Sequence, residues 1–118
     1  MLTWGIDEPY YATYFRGYFD SPFSFTETVA RLITLSGIDP TAETDEYKVS
    51  VEFVGLFNGH KFTLYDYKED REIHIGGNED LDVVELSKVL LAGIRSVEPT
   101  PYQANEYYDQ ELGHGFPN

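Results

Sequence analysis

The sequence predicts an α+β fold: a three- to four-stranded antiparallel sheet packed against two helices, in the order (β)-α-β-β-β-α. Two observations carry this expectation. Between residues 47 and 75, three short runs alternate apolar and polar side chains with the period of two that a half-buried strand requires, and brief polar turns join them. On either side, in residues 24–37 and 80–97, apolar side chains recur every three to four positions, the period of an amphipathic helix. Consecutive strands with such short connections pair antiparallel, and helices that are apolar on one side only cover a single sheet face.

The elements follow in chain order. Residues 1–23 are dense in aromatics: Trp4, Tyr10, Tyr11, Tyr14, Phe15, Tyr18, Phe19 and Phe23. Alternation at Tyr10, Ala12 and Tyr14, and at Tyr11, Thr13 and Phe15, suits an extended strand, whereas Tyr11, Phe15, Tyr18 and Phe19 share one helical face. Gly17, Asp20 and Pro22 close behind favour strand or irregular chain over helix. The first clear helix starts at Ser24, where Ser24-Phe25-Thr26-Glu27 reads as a capping box. Phe25, Val29, Leu32, Ile33 and Ser36 line its inner face, and Gly37 stands where a left-handed cap belongs.

After an acidic loop at residues 41–46, Tyr47, Val49, Val51 and Phe53 alternate with Lys48, Ser50, Glu52 and Val54. Asn58-Gly59 is a strong two-residue hairpin signal. In the next run Phe62 and Leu64 face one side and Thr63, Tyr65 and Tyr67 the other. Residues 72–75 return as a third strand, which Gly76-Gly77-Asn78 is expected to break. A second helix then starts near Glu79 or Asp80, with Asp80 and Asp82 at its positive N-terminal end and Arg95 in its last turn. Val83, Leu86, Leu90, Ile94 and Val97 form its inner stripe, and Pro99 stops it. Residues 1–99 thus read as one α+β domain. Residues 100–118, with two prolines, two glycines, four aromatics and no basic residue, read as an acidic, aromatic tail. The helices would cover one sheet face and leave Thr63, Tyr65, Tyr67 and His74 on or near the other.

Charge bounds the function. The chain has 118 residues, with 21 Asp and Glu against 8 Lys and Arg and a net charge of −13. Binding to nucleic acid or to an anionic membrane draws on a surplus of basic groups, so neither is expected; a field of this sign steers toward basic protein surfaces. With 42% hydrophobic residues the chain has the composition of a folded domain, and its apolar runs are too short to span a membrane. Zero cysteines exclude disulfides, thiolate catalysis and cysteine zinc sites. The first residues lack a basic n-region and an apolar h-region, so no secretory signal and a cytoplasmic location are expected.

Chemistry-bearing constellations are sparse. His60, His74 and His114 fall in a hairpin turn, a strand and the tail, with no ligand spacing between them, so no metal site is expected. None of the serines has a nucleophile-elbow context, no catalytic set stands out and no cofactor is expected. The Gly76-Gly77 turn before a helix could cradle an anion through backbone N–H groups, but Glu79, Asp80 and Asp82 crowd it, and a turn needing glycine explains it more simply. The acids themselves cluster. Asp39, Glu43, Asp45 and Glu46 form one run, Glu79, Asp80, Asp82 and Glu85 another, and Glu98, Glu106, Asp109 and Glu111 a third that is interleaved with Tyr102, Tyr107, Tyr108 and Phe116. Carboxylates among tyrosines suit a protein-binding surface, and spaced along a surface they can stand in for nucleic-acid phosphates. The alternative is a solvated acidic face. Tyr65 and Tyr67 join Asp39, Glu43, Asp45, Glu46, Glu79, Asp80, Asp82, Glu85, Tyr107, Tyr108 and Asp109 as the expected partner-binding residues.

The segments Phe62-Thr63-Leu64-Tyr65-Asp66-Tyr67-Lys68 and Ile73-His74-Ile75-Gly76-Gly77 resemble a stretch found in small uncharacterised bacteriophage proteins. At a coarser level the small, cysteine-free, strongly acidic α+β chain is similar to phage anti-CRISPR and other anti-defence proteins. That similarity implies a non-catalytic inhibitor that blocks a host nucleic-acid-handling complex by binding its basic surface, and it implies no residue roles. Immunity proteins that neutralise nuclease toxins share the profile. A third expectation, from another class, is a small-ligand-binding or sequestering protein using Tyr65, Tyr67, His74 and the Gly76-Gly77 turn. Whether the chain is monomeric or a homodimer stays open.

Overall fold

The computed structural model describes residues 1–5, 14–40, 51–67 and 70–102. In chain order the elements are β1 (Leu2–Trp4), β2 (Tyr14–Phe19), α1 (Phe25–Ser36), β3 (Glu52–Phe57), β4 (His60–Tyr65), β5 (Ile73–Gly77) and α2 (Val83–Arg95). The strands form one five-stranded sheet in the order β1-β3-β4-β5-β2, with every neighbouring pair antiparallel. The α+β class and the central meander are as the sequence predicts. The sheet is wider than expected because the aromatic N-terminal region supplies both edge strands, not one. β1 is three residues long, too short to show a period, and is held by Trp4, whose indole meets the rings of Phe53 and Phe62 edge-on at 6.4 and 5.5 Å. β2 runs from Tyr14; the alternation expected at residues 10–13, and that at 47–50, lies outside the described residues.

Local signals account for the central elements. Ser24 caps α1, its Oγ accepting the Glu27 N–H at 3.1 Å. Gly37 closes α1 at φ 74°, where its N–H reaches the Ile33 carbonyl. The Glu27 carboxylate reaches Arg31 rather than closing the capping box (2.9 Å to Nε). Asn58 and Gly59 take φ values of 52° and 84°, the left-handed pair that a two-residue hairpin needs.

Two expectations about the β5–α2 junction are corrected. Gly76 and Gly77 do not break the strand but pair within it, opposite Thr63 and Phe62. Gly77 is glycine because Leu81 packs directly on it: a Cβ there would lie 2.4 Å from the Leu81 Cδ2. α2 begins later than expected, since Asp82 caps it by accepting the Glu85 N–H at 3.0 Å, and Glu79 and Asp80 form the turn before it.

The core lies between the sheet and the helices. Phe53, Phe62, Leu64 and Ile75 from the strands meet Val29 and Leu32 of α1 and Leu86, Leu90 and Ile94 of α2, all fully buried. Of the predicted α1 face, Val29 and Leu32 are buried, joined by Thr28 and Ala30, whereas Phe25, Ile33 and Ser36 are half-buried at its margin. Arg31 ties the helices together: its Nη1 donates to the Ile94 and Val97 carbonyls at 3.0 and 2.7 Å, satisfying the end of α2, while its guanidinium lies 4.0 Å from the Phe23 ring. Thr34 and Ala30 hold residues 98–100 against α1 through the Glu98 carbonyl and the Thr100 N–H. Tyr102 packs on the core, so the first residues of the expected tail lie on the body; residues 103–118 lie outside the described residues. Among the described residues no helix is long and apolar enough to cross a membrane.

Candidate functional site

Directly paired residues in an antiparallel sheet share a face. Glu52 pairs with Tyr65, Tyr65 with His74, and His74 with Tyr18, so these four form a row across β3, β4, β5 and β2. The next row is Val54, Thr63, Gly76 and Phe15. Their chain neighbours Phe53, Leu64, Ile75 and Phe19 fill the core, which puts both rows on the sheet face opposite the helices. The sequence predicts Thr63, Tyr65, Tyr67 and His74 on this face, and the register puts Thr63, Tyr65 and His74 there.

A bulge completes the site. The register of β2 shifts between Phe15 and Gly17, leaving Arg16 as the extra residue. Strict alternation sends residues three apart to opposite faces; the bulge returns Phe15 and Tyr18 to the same one. Their rings meet edge-on at 5.2 Å. Both converge on His74, at 5.4 and 4.9 Å, and Tyr65 and Tyr67 approach it from the other side at 5.0 and 6.3 Å. His74 is only 8% exposed, while Phe15, Tyr18 and Tyr67 are 51%, 50% and 39% exposed. The result is a buried imidazole ringed by four aromatic side chains, three of which present surface outward. Arg16 itself turns away, its Nη1 donating to the carbonyls of Asn78 and Leu81, which fastens the β5–α2 loop to the edge strand.

Asp70 orients the imidazole. Its Oδ2 lies 2.5 Å from His74 Nε2, and its Oδ1 accepts the N–H groups of Glu72 and Tyr67 at 3.1 and 3.4 Å. One carboxylate thereby builds the β4–β5 turn, in which Arg71 takes φ +58°, and anchors the histidine. Exposed carboxylates flank the β2–β5 pair in sequence at both ends. Phe19 pairs with Ile73, so exposed Asp20 and Glu72 follow and precede that pair at one end, beside Asp70. At the other end Tyr14 pairs with Gly77, and Asn78 leads on to exposed Glu79 and Asp80 in the β5–α2 loop.

The expected site residues divide accordingly. Tyr65 and Tyr67 belong to the cluster; Glu79, Asp80, Asp82 and Glu85 are exposed in the β5–α2 loop and the first turn of α2, with Asp82 also serving as its cap. Asp39 is exposed just beyond α1. Glu43, Asp45, Glu46, Tyr107, Tyr108 and Asp109 lie outside the described residues. Sequence reasoning missed Phe15, Tyr18, Asp70 and Glu52. It also missed Asp66, a fully buried carboxylate whose Oδ1 accepts the Val51 N–H at 3.1 Å. For Asp70 a signal was present, an acid four residues before a strand histidine and next to a turn; for Phe15 and Tyr18 none was, because a bulge has no fixed sequence mark. Gly76 and Gly77, being part of the ladders to β4 and β2, offer no separate anion cradle. Among the described residues no three His, Cys, Asp or Glu side chains are grouped as metal ligands.

Comparison of the chain with protein-family models, with curated proteins and with solved structures finds no match.

Glu52, at the end of the aromatic row, carries a testable electrostatic signature. Burial pushes its carboxyl above the ordinary value of 4.5, and the Lys61 ammonium offsets part of that rise. The folded chain therefore holds the Glu52 proton more tightly than the unfolded one, and its contribution to stability falls as pH rises from about 4.5 through the raised folded value. Glu52→Gln is neutral at all pH values. It is expected to melt with the wild type near pH 4 and a few degrees above it at pH 7; equal melting temperatures at both would contradict the burial of this carboxyl.

Proposed function

We propose that this chain is a non-catalytic inhibitor, of anti-CRISPR or other anti-defence type, that occupies the basic surface of a host nucleic-acid-handling complex in the host cytoplasm. The observation that carries this reading is an exposed aromatic surface with Asp20, Asp70 and Glu72 at one end, in a chain of net charge −13. Protein interfaces have a desolvated centre of rigid aromatic side chains inside a polar rim, and tyrosine supplies contact area at low entropic cost. The sign of the charge selects a basic partner, and such partners hold nucleic acid. An immunity protein neutralising a nuclease toxin would use the same surface on a single partner.

The test is capture from host lysate by the tagged chain, washed at rising salt. A nucleic-acid-binding complex that elutes as salt increases supports the reading. Glu79→Lys with Asp80→Lys reverses two exposed charges of the β5–α2 loop and leaves the Asp82 cap intact. The pair is expected to weaken binding to that complex about tenfold at low salt, mostly through the association rate, and to flatten its salt dependence. Unchanged affinity and an unchanged salt slope would overturn the electrostatic mechanism.

One observation favours a second reading: the fold does bring Tyr65, Tyr67 and His74 together. A small-ligand-binding protein would show a ligand-induced rise in melting temperature across a nucleotide library, and a flat profile would remove this reading.

A further inference from the structure

We propose that the Phe15, Tyr18 and Tyr67 rings around His74, with the Asp70 carboxylate beside them, form a receptor site for a partner's arginine side chain. This inference rests on the protein-binding reading above and moves its centre from the acidic runs to the aromatic face. A guanidinium is planar and weakly hydrated, stacks on aromatic faces, and donates in a fork that fits a carboxylate. The site holds both halves of that recognition. Phe15 and Tyr18 are half exposed and stand at 67° to each other, so neither ring stacks over the other and aromatic surface is left for a guanidinium.

The carboxylate half is equally placed. Among the described residues, Asp70 Oδ1 accepts from two backbone N–H groups and Oδ2 has one contact, to His74 Nε2, which leaves an acceptor position on Oδ2 of a side chain that is 35% exposed. Exposed Asp20 and Glu72 stand at the same end of the β2–β5 pair. Among the described residues, the two arginines nearby in sequence make other contacts. Arg16 is turned to the Asn78 and Leu81 carbonyls, and the Arg71 guanidinium lies 5.6 Å over the Phe25 ring. Aromatic faces alone would also accept a nucleobase. Asp20, Asp70 and Glu72 would repel the phosphates that come with one, and they select a cation. Arginine is preferred to lysine because an ammonium has no plane to stack and keeps its water more strongly.

The test is an NMR titration of the full chain at low salt with a peptide of alternating arginine and glycine, against the same peptide with citrulline or lysine in place of arginine. Citrulline keeps the shape and removes the charge. The expected result is saturable shifts at Phe15, Tyr18, Asp70 and His74, about tenfold weaker binding of the citrulline peptide and severalfold weaker binding of the lysine peptide. Tyr18→Leu keeps an apolar side chain at a half-exposed position but removes the ring face, and it is expected to weaken arginine-peptide binding about fivefold while leaving the melting temperature within a few degrees. Shifts confined to residues 78–85, equal binding of the citrulline peptide, or wild-type affinity in Tyr18→Leu would each overturn the arginine site. The wider reading would still stand if the salt-sensitive host complex is captured, and it falls separately if no such complex is captured.

Discussion

Phe62→Ala is expected to remove about 3–5 kcal/mol of folding stability, the range for emptying a buried phenylalanine site. The ring is fully buried at the centre of β4, between β3 and β5, and the Trp4 indole sits edge-on to it at 5.5 Å. Its other neighbour cannot relax to fill the space. Gly55 lies so close that a Cβ there would stand 2.8 Å from Phe62 Cζ and 2.5 Å from the Thr3 carbonyl, so backbone, not a movable side chain, lines that wall. A small domain has a total stability of about 5–15 kcal/mol, so this one change removes a third or more of it in most of that range. Denaturant unfolding with an unchanged m value reads the loss directly. A loss below about 1 kcal/mol would mean that the ring does not fill the sheet–helix core.

Asp70→Ala is the second large effect, and it joins stability to the site. The substitution strips acceptors from the Glu72 and Tyr67 N–H groups and from His74 Nε2 at once, in a turn where Arg71 already holds a left-handed backbone. The Asp70 side chain is one-third exposed, so water replaces part of what is lost, and the expected cost is about 2–3 kcal/mol. Asp70→Asn keeps an oxygen for the two backbone donors and removes the charge beside His74, so it is expected to cost about 1 kcal/mol less. Denaturant melts of the two variants separate the turn from the histidine anchor. Fast amide exchange at Glu72 and Tyr67 in the alanine variant alone would locate the damage in the turn. Equal stability of alanine and asparagine variants would show that the backbone bonds contribute nothing.

The two variants also bear on binding. His74 is held at the centre of four rings by a contact that depends on one turn carboxylate, so a loosened turn releases the ring geometry on which Phe15 and Tyr18 converge. Rigid presentation of aromatic side chains is what makes such surfaces bind well, since less freedom is lost on docking.

Most of the elements with a strong local signal were determined by the sequence alone. Ser24 as the cap of a helix, Gly37 at its end, the Asn58-Gly59 turn and the alternation along the described part of β3 each specify their own backbone within a few residues and stand as read, although Glu27 bonds Arg31 instead of completing the capping box. The inward stripe of α2 is legible for the same reason, because Leu86, Leu90 and Ile94 repeat at helical spacing. The tertiary structure decided what depends on a distant neighbour. Leu2–Trp4 is a strand only because β3 offers an edge and the Phe53 and Phe62 rings offer a seat for the indole. Gly76 and Gly77, a plausible turn by composition, stay in β5 because β4 and β2 pair with them on both sides, and Leu81 packs where a Gly77 Cβ would lie. The site is the clearest case. Its tyrosines were visible as residues on one side of β4, but the bulge at Arg16 that turns Phe15 and Tyr18 to the same face is a property of the pairing between β2 and β5. A pairing register arises from contacts between strands more than fifty residues apart, and no local pattern records it.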